Sequence, residues 1–151
     1  MCLLADVVWP SLYLSDRLFV WWIIGAGLIV EFYCIHRLTQ ASAQKSGLMT
    51  IAVNAISSAV GIIGIPVSGL VWELIAMFTI MPLFKWGTFN PITWLVSCGL
   101  AALLNALIET ASLRLIFKVP WTKKVFWWLA LANLVSVGMA LVSIMVKPRS
   151  L

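Results

Sequence analysis

The sequence predicts an all-α integral membrane protein: four transmembrane helices built as a tandem repeat of two helical hairpins. Three observations predict it. Of the 151 residues, 63% are hydrophobic and 10% charged, and the mean hydropathy is +1.07. An ordinary soluble domain carries about 25% charged residues, and a chain this short has no soluble core able to hide so much apolar surface, so its solvent is lipid. Apolar runs of the length needed to cross a bilayer, about 20 residues, recur between short polar connections. Finally, one pattern occurs twice: a Glu near the end of an apolar run, a basic connection, then an apolar run carrying Asn-x-x-Ser. Glu31 precedes Asn54 by 23 residues in the first copy, and Glu109 precedes Asn133 by 24 in the second.

The single domain reads in order as follows. Residues 1–17 are interrupted by Asp6, Pro10 and Asp16 and form an interfacial N-terminal segment with Trp9 and Tyr13 at headgroup level; no cleavable leader is expected. Residues 18–65 form the first hairpin. Its first span, 18–35, has Trp21 and Trp22 at one interface and Tyr33 at the other, and Gly25 and Gly27 permit close helix approach. The polar stretch 37–47 is a connecting loop, and Leu48–Ile65 is the second span. The apolar run continues to Met81, but Pro66 divides it, so residues 66–81 are expected as an interfacial or kinked segment, with Trp72 and Glu73 at a headgroup or partner surface. Residues 82–92 hold two prolines, a glycine and Asn90-Pro91, which is turn chemistry. Residues 93–146 form the second hairpin, with spans near 93–117 and 125–146 joined by a basic connection at 118–124, and 147–151 are a tail.

Charge sets the orientation. The two basic connections hold Arg37, Lys45, Arg114, Lys118, Lys123 and Lys124; the opposite side holds Arg17, Lys85, Lys147 and Arg149 with Asp6 and Asp16. By the positive-inside rule the connections face the cytoplasm and both termini lie on the far side. The net charge of +5 is distributed among span ends and not gathered on one soluble face, which excludes a nucleic-acid binder. Cys2, Cys34 and Cys98 are scattered with no metal-ligand spacing, and no phosphate loop, nucleophile elbow or zinc motif occurs, so no cofactor or metal is expected.

The candidate site is the repeated polar set: Glu31, Asn54, Ser57, Asn105, Glu109, Asn133 and Ser136. Asn54, Ser57, Ser58 and Gly61 fall on one helix face, as do Asn133, Ser136 and Ala140, while Gly27 with Glu31 and Asn105 with Glu109 stand at i, i+4. Small residues beside a polar one make a close helix–helix seam, and an Asn carboxamide satisfies a Glu carboxyl across it. Neither Glu has a basic residue at i+3 or i+4. The leading functional expectation is a non-catalytic accessory or scaffolding subunit of a larger complex of integral membrane proteins: loops are short, soluble domains are missing, and room for an independent site is small. The alternative is a small carrier or channel whose path passes Glu31 and Glu109. An embedded lipid-modifying enzyme ranks third, since His36 is the only histidine.

Overall fold

The computed structural model describes residues 17, 18, 20–85 and 90–146. Within them lie five helices and no strand: α1 (Trp21–Thr39), α2 (Ala43–Phe78), α3 (Ile80–Phe84), α4 (Pro91–Phe117) and α5 (Lys123–Val146). Four of these, all but α3, are long and apolar enough to cross a membrane. Large apolar side chains such as Ile29, Ile51, Ile63, Leu95 and Leu115 point outward, as a lipid-facing surface requires. The interfacial segment expected at 1–16 and the tail at 147–151 lie outside the described residues.

Local chemistry places the breaks. Gln40 adopts a left-handed conformation (φ 51°) and its N–H bonds to His36 O, ending α1; Ser42 then caps α2 by accepting from the Lys45 N–H. The loop expected at 37–47 is therefore confined to residues 40–42, because Gln44, Lys45 and Ser46 already form the first turn of α2. Asn90 accepts from the Thr93 N–H at 2.9 Å and Pro91 opens α4, where its missing N–H costs no helical bond. Lys118 (φ 58°) closes α4 in the left-handed region.

Pro66 does not start a separate segment. Helix α2 runs for 36 residues straight through it to Phe78. A proline removes one N–H and crowds one carbonyl, a loss that neighbouring helices and local hydroxyls absorb in membrane helices. Here Ile65 and Gly69, on either side of Pro66, are buried against the bundle, so neighbouring helices hold the backbone in place.

The four long helices close into a ring. Helix α1 packs on α2 and α5, and α4 packs on the same two, so α1 and α4 face each other across the centre without touching along their backbones. Two apolar cores fill the ring at different heights. One, at the end holding the basic connections, contains Ile35, Met49, Val53, Ala106, Leu113 and Leu129. The other, toward the opposite end, contains Ile23, Ile65, Cys98, Ala101, Ala102, Val137 and Ala140.

Glycine sets the α1–α5 spacing. A Cβ on Gly27 would lie 2.7 Å from Ser136 Oγ and 3.5 Å from Ser136 Cβ, whereas a Cβ on Gly25 meets nothing. Overpacking a tight contact costs about 1–3 kcal/mol. Gly27→Val is therefore expected to lower the unfolding midpoint in detergent by several degrees, and Gly25→Ala to leave it in place. Equal effects at the two positions would contradict this packing.

Candidate functional site: a polar layer between two apolar cores

Between the two apolar cores lies a layer of polar side chains drawn from all four long helices. Glu31 on α1 and Glu109 on α4 are 2% and 0% exposed. Asn54 on α2 donates through Nδ2 to Glu31 Oε2 and also to Thr50 O, the latter at 3.0 Å. Asn133 on α5 divides its amide in the same way, donating to Glu109 Oε2 at 2.8 Å and to Leu129 O at 3.1 Å. In each case the second acceptor is the carbonyl four residues back in the same helix. That contact fixes the carboxamide rotamer and aims its remaining N–H at the neighbouring helix.

Ser57 ties the two pairs together. Its hydroxyl lies 3.2 Å from Glu109 Oε1 and 3.2 Å from Asn54 O, so α2 reaches α4 as well as α1. Ser136 has no equivalent bond to Glu31. Its hydroxyl turns back to Ala132 O at 3.4 Å and sits against Gly27. Asn105 and Gly27 each stand four residues before a Glu, but the side chain at 105 reaches the α2 seam, where a Cβ on Gly61 would lie 3.4 Å from its Oδ1. That Oδ1 atom is buried and has no hydrogen-bond partner.

A cavity of about 140 Å³ opens off this layer, large enough for several water molecules. Glu31, Asn54, Ser57, Asn105, Asn133 and Ser136 all line it, so six of the seven residues read as a polar site share one space; Glu109 backs it through Ser57 and Asn133. The cavity extends toward the N-terminal end of α1, past Ile23, Ile24 and Ile65. Ile24 and Ser58 on its wall are also exposed on the outside of the bundle, which places a rim between α1 and α2. On the basic side lies the first apolar core, none of whose residues lines the cavity.

The lining is rich in oxygen acceptors. The amide hydrogens of Asn54 and Asn133 are committed to carboxyl and backbone oxygens. What remains toward the space is rich in acceptors, carboxyl and carboxamide oxygens with the orphaned Asn105 Oδ1 among them, beside the donors of the Asn105 amide nitrogen and the Ser58 hydroxyl. No Lys, Arg or His lines it. His36 lies elsewhere, at the basic end, where Nδ1 meets Ser46 Oγ at 3.2 Å and the ring stacks on Phe32; it ties the first helix pair and has no carboxyl beside it.

Trp72 and Glu73, expected at a headgroup or partner surface, sit in the part of α2 beyond Pro66. Glu73 is buried at 2% exposure and Trp72 half-buried, and among the described residues neither carboxyl oxygen of Glu73 nor the indole nitrogen of Trp72 has a hydrogen-bond partner. Gly69, Glu73 and Ala76 form the buried face there. Sequence reasoning missed this burial; the i, i+4, i+7 spacing from Gly69 was the available signal.

No protein-family model matches the chain, and searches of characterised proteins and of solved structures found no match.

Interhelical hydrogen bonds in membranes average about 0.6 kcal/mol and reach about 1.7, while leaving a buried polar group unpaired costs about 1–3 kcal/mol. Asn133→Ala should therefore destabilise the bundle by about 1–2 kcal/mol in a reversible detergent unfolding titration. A double-mutant cycle with Glu109→Leu should show coupling of about 0.5–1.5 kcal/mol; strictly additive effects would mean the bond has no energetic weight.

Proposed function

We propose that this chain is a small membrane carrier whose path passes Glu31 and Glu109, and that its cargo is a compact cation. The observation that carries this reading is the cavity: an acceptor-rich space at mid-bundle, extending toward one end, with an apolar core between it and the other. Ionisable residues within a membrane bundle are costly, by about 2.5–3.5 kcal/mol at the centre on insertion scales, and mark ion or substrate pathways. A structural tie needs only enough polar groups to satisfy one another. Here acceptors are left over, and a positively charged or hydrogen-bond-donating cargo is what would complete them. An apolar core between the cavity and the basic end favours a carrier over an open channel.

The duplicated sequence pattern belongs to the same reading. We take residues 18–65 and 93–146 as two equivalent hairpins of like orientation, supported by the matched Glu31–Asn54 and Glu109–Asn133 bonds and by the identical second bond each Asn makes. Internal repeats meeting at a midplane site are a recurrent transporter design.

Purified chain in proteoliposomes is expected to move at least one of H⁺, Na⁺, K⁺ or methylammonium down an imposed gradient, read with an ion-sensitive dye or a radiolabel. Glu31→Gln with Glu109→Gln should cut the rate at least tenfold. Absence of flux for all four cations, or an unchanged rate in the double variant, eliminates the carrier reading.

A second reading, an accessory subunit of a larger membrane assembly, has one specific observation in its favour. At 1.5 Å per residue, α2 is about 54 Å long, longer than a bilayer of about 40–45 Å with its headgroups. The last turns of this extension leave Leu74, Ile75 and Phe78 exposed. Lipid does not cover an apolar face that overshoots the bilayer, whereas an apolar helix of another subunit does. Mass measurement after extraction in mild detergent separates the readings: a stable heteromeric complex supports the accessory role, and a monomer or homodimer sinks it.

A further inference from the structure

At the basic end, away from the carboxyl layer, a groove of about 750 Å³ lies between the last turns of α1 and the first turns of α5. Tyr33, His36, Arg37, Gln40, Lys124 and Trp128 line it. Arg37 and Lys124 are exposed, and among the described residues no carboxylate pairs with either. The acids that the structure describes, Glu31, Glu73 and Glu109, are all buried elsewhere.

Helix α5 adds a second, independent argument. It begins Lys123-Lys124 and has no acidic residue in its first turn. A helix N-terminus carries about half a positive charge and is stabilised by anions, so two lysines there oppose the dipole. Thr122 accepts from the Val125 and Phe126 N–H groups, at Oγ1 and at its carbonyl, but a neutral cap leaves the excess positive charge in place. The local sequence thus concentrates cation on cation: Arg37, Lys123, Lys124 and the α5 N-terminus. An external anion resolves the conflict.

The walls say which kind of anion. Tyr33 and Trp128 are 62% and 45% exposed and flank the charged groups on the outer face of the bundle. Amphipathic aromatics of this type settle at the headgroup level of a bilayer. Basic pockets between membrane helices bind phosphate-bearing headgroups. Arg37 offers a planar fork of N–H donors suited to phosphate oxygens, and Lys124 a mobile point charge.

We infer that the α1–α5 groove is a binding site for a phosphate-bearing anion, supplied by the headgroup of an anionic phospholipid, with Arg37 and Lys124 holding the phosphate and Tyr33 and Trp128 bracketing the glycerol region. This site is separate from the carrier cavity, and its fate is independent of that reading.

Native mass spectrometry of the full chain in detergent, titrated with phosphatidylglycerol, phosphatidylcholine or inorganic phosphate, tests it. One phosphatidylglycerol is expected to be retained per chain, with at least tenfold preference over phosphatidylcholine. Arg37→Gln with Lys124→Gln should remove that preference, while Lys45→Gln with Lys118→Gln, which deletes the same charge at the same end outside the groove, should keep it. Competition by millimolar phosphate would support the phosphate site with free phosphate as its source; no competition supports the lipid headgroup. Equal retention of the two lipids with no phosphate bound, or equal losses in the two double variants, overturns the proposal. All four substituted side chains are exposed, so folding is not at stake.

Discussion

A carboxyl group in hydrocarbon has no water to turn to, and the rest of this structure follows from how that demand is met. Glu31 and Glu109 stand on helices whose backbones do not meet, and no hydrogen bond joins the two carboxyls. Each is served by an Asn on an adjacent helix, and each Asn is held in position by a carbonyl of its own helix. Glu109 receives a further hydroxyl from Ser57. The ring order α1–α2–α4–α5 is the arrangement in which Glu31 and Glu109 each have a carboxamide neighbour, and the small residues Gly27, Gly61 and Gly64 let the helices come close enough for these bonds to form. Aliphatic packing above and below supplies bulk, but aliphatic contacts alone do not distinguish one helix register from another in lipid.

The same demand shapes the proposed cargo. A polar layer that used all its donors and acceptors internally would be a closed staple. This one leaves acceptors over, beside a cavity. The two ends of the bundle then differ in kind: acceptor oxygens gather at mid-depth, and uncompensated cations gather at the surface near the turns. The inferred cation cargo and the inferred phosphate headgroup are complementary in sign to the places that would hold them.

Much of this was legible in the residues. The four spans follow from run length and hydropathy, and the contact of Asn54 with Glu31, and of Asn133 with Glu109, follows from matched depth below the basic turns. The course of 37–47 was not legible, because Gln44, Lys45 and Ser46 look like loop until Ser42 is recognised as a cap and Ser46 is seen packed under His36. The continuity of α2 through Pro66 was hidden by a local rule that holds in water and is relaxed where neighbouring helices support the backbone. The bond from Ser57 to Glu109 was visible only as membership of a face; which helix that face meets depends on ring order, and ring order leaves no trace in one sequence. The cavity is a property of shape and has no local signature.

The two acids are moored unequally. Glu109 is held from two sides, by α2 and by α5, whereas Glu31 hangs on α2 through a single carboxamide. Helices α2, α4 and α5 share the bonds that hold Glu109, and α1, the shortest of the four at 19 residues, meets the polar layer through one carboxamide and, among the described residues, is tied again only at its basic end, where His36 meets Ser46. Pivoting α1 about that basic-end tie would widen the rim at Ile24 and Ser58 while the bonds to Glu109 stayed intact, and the pivot lies beside Arg37.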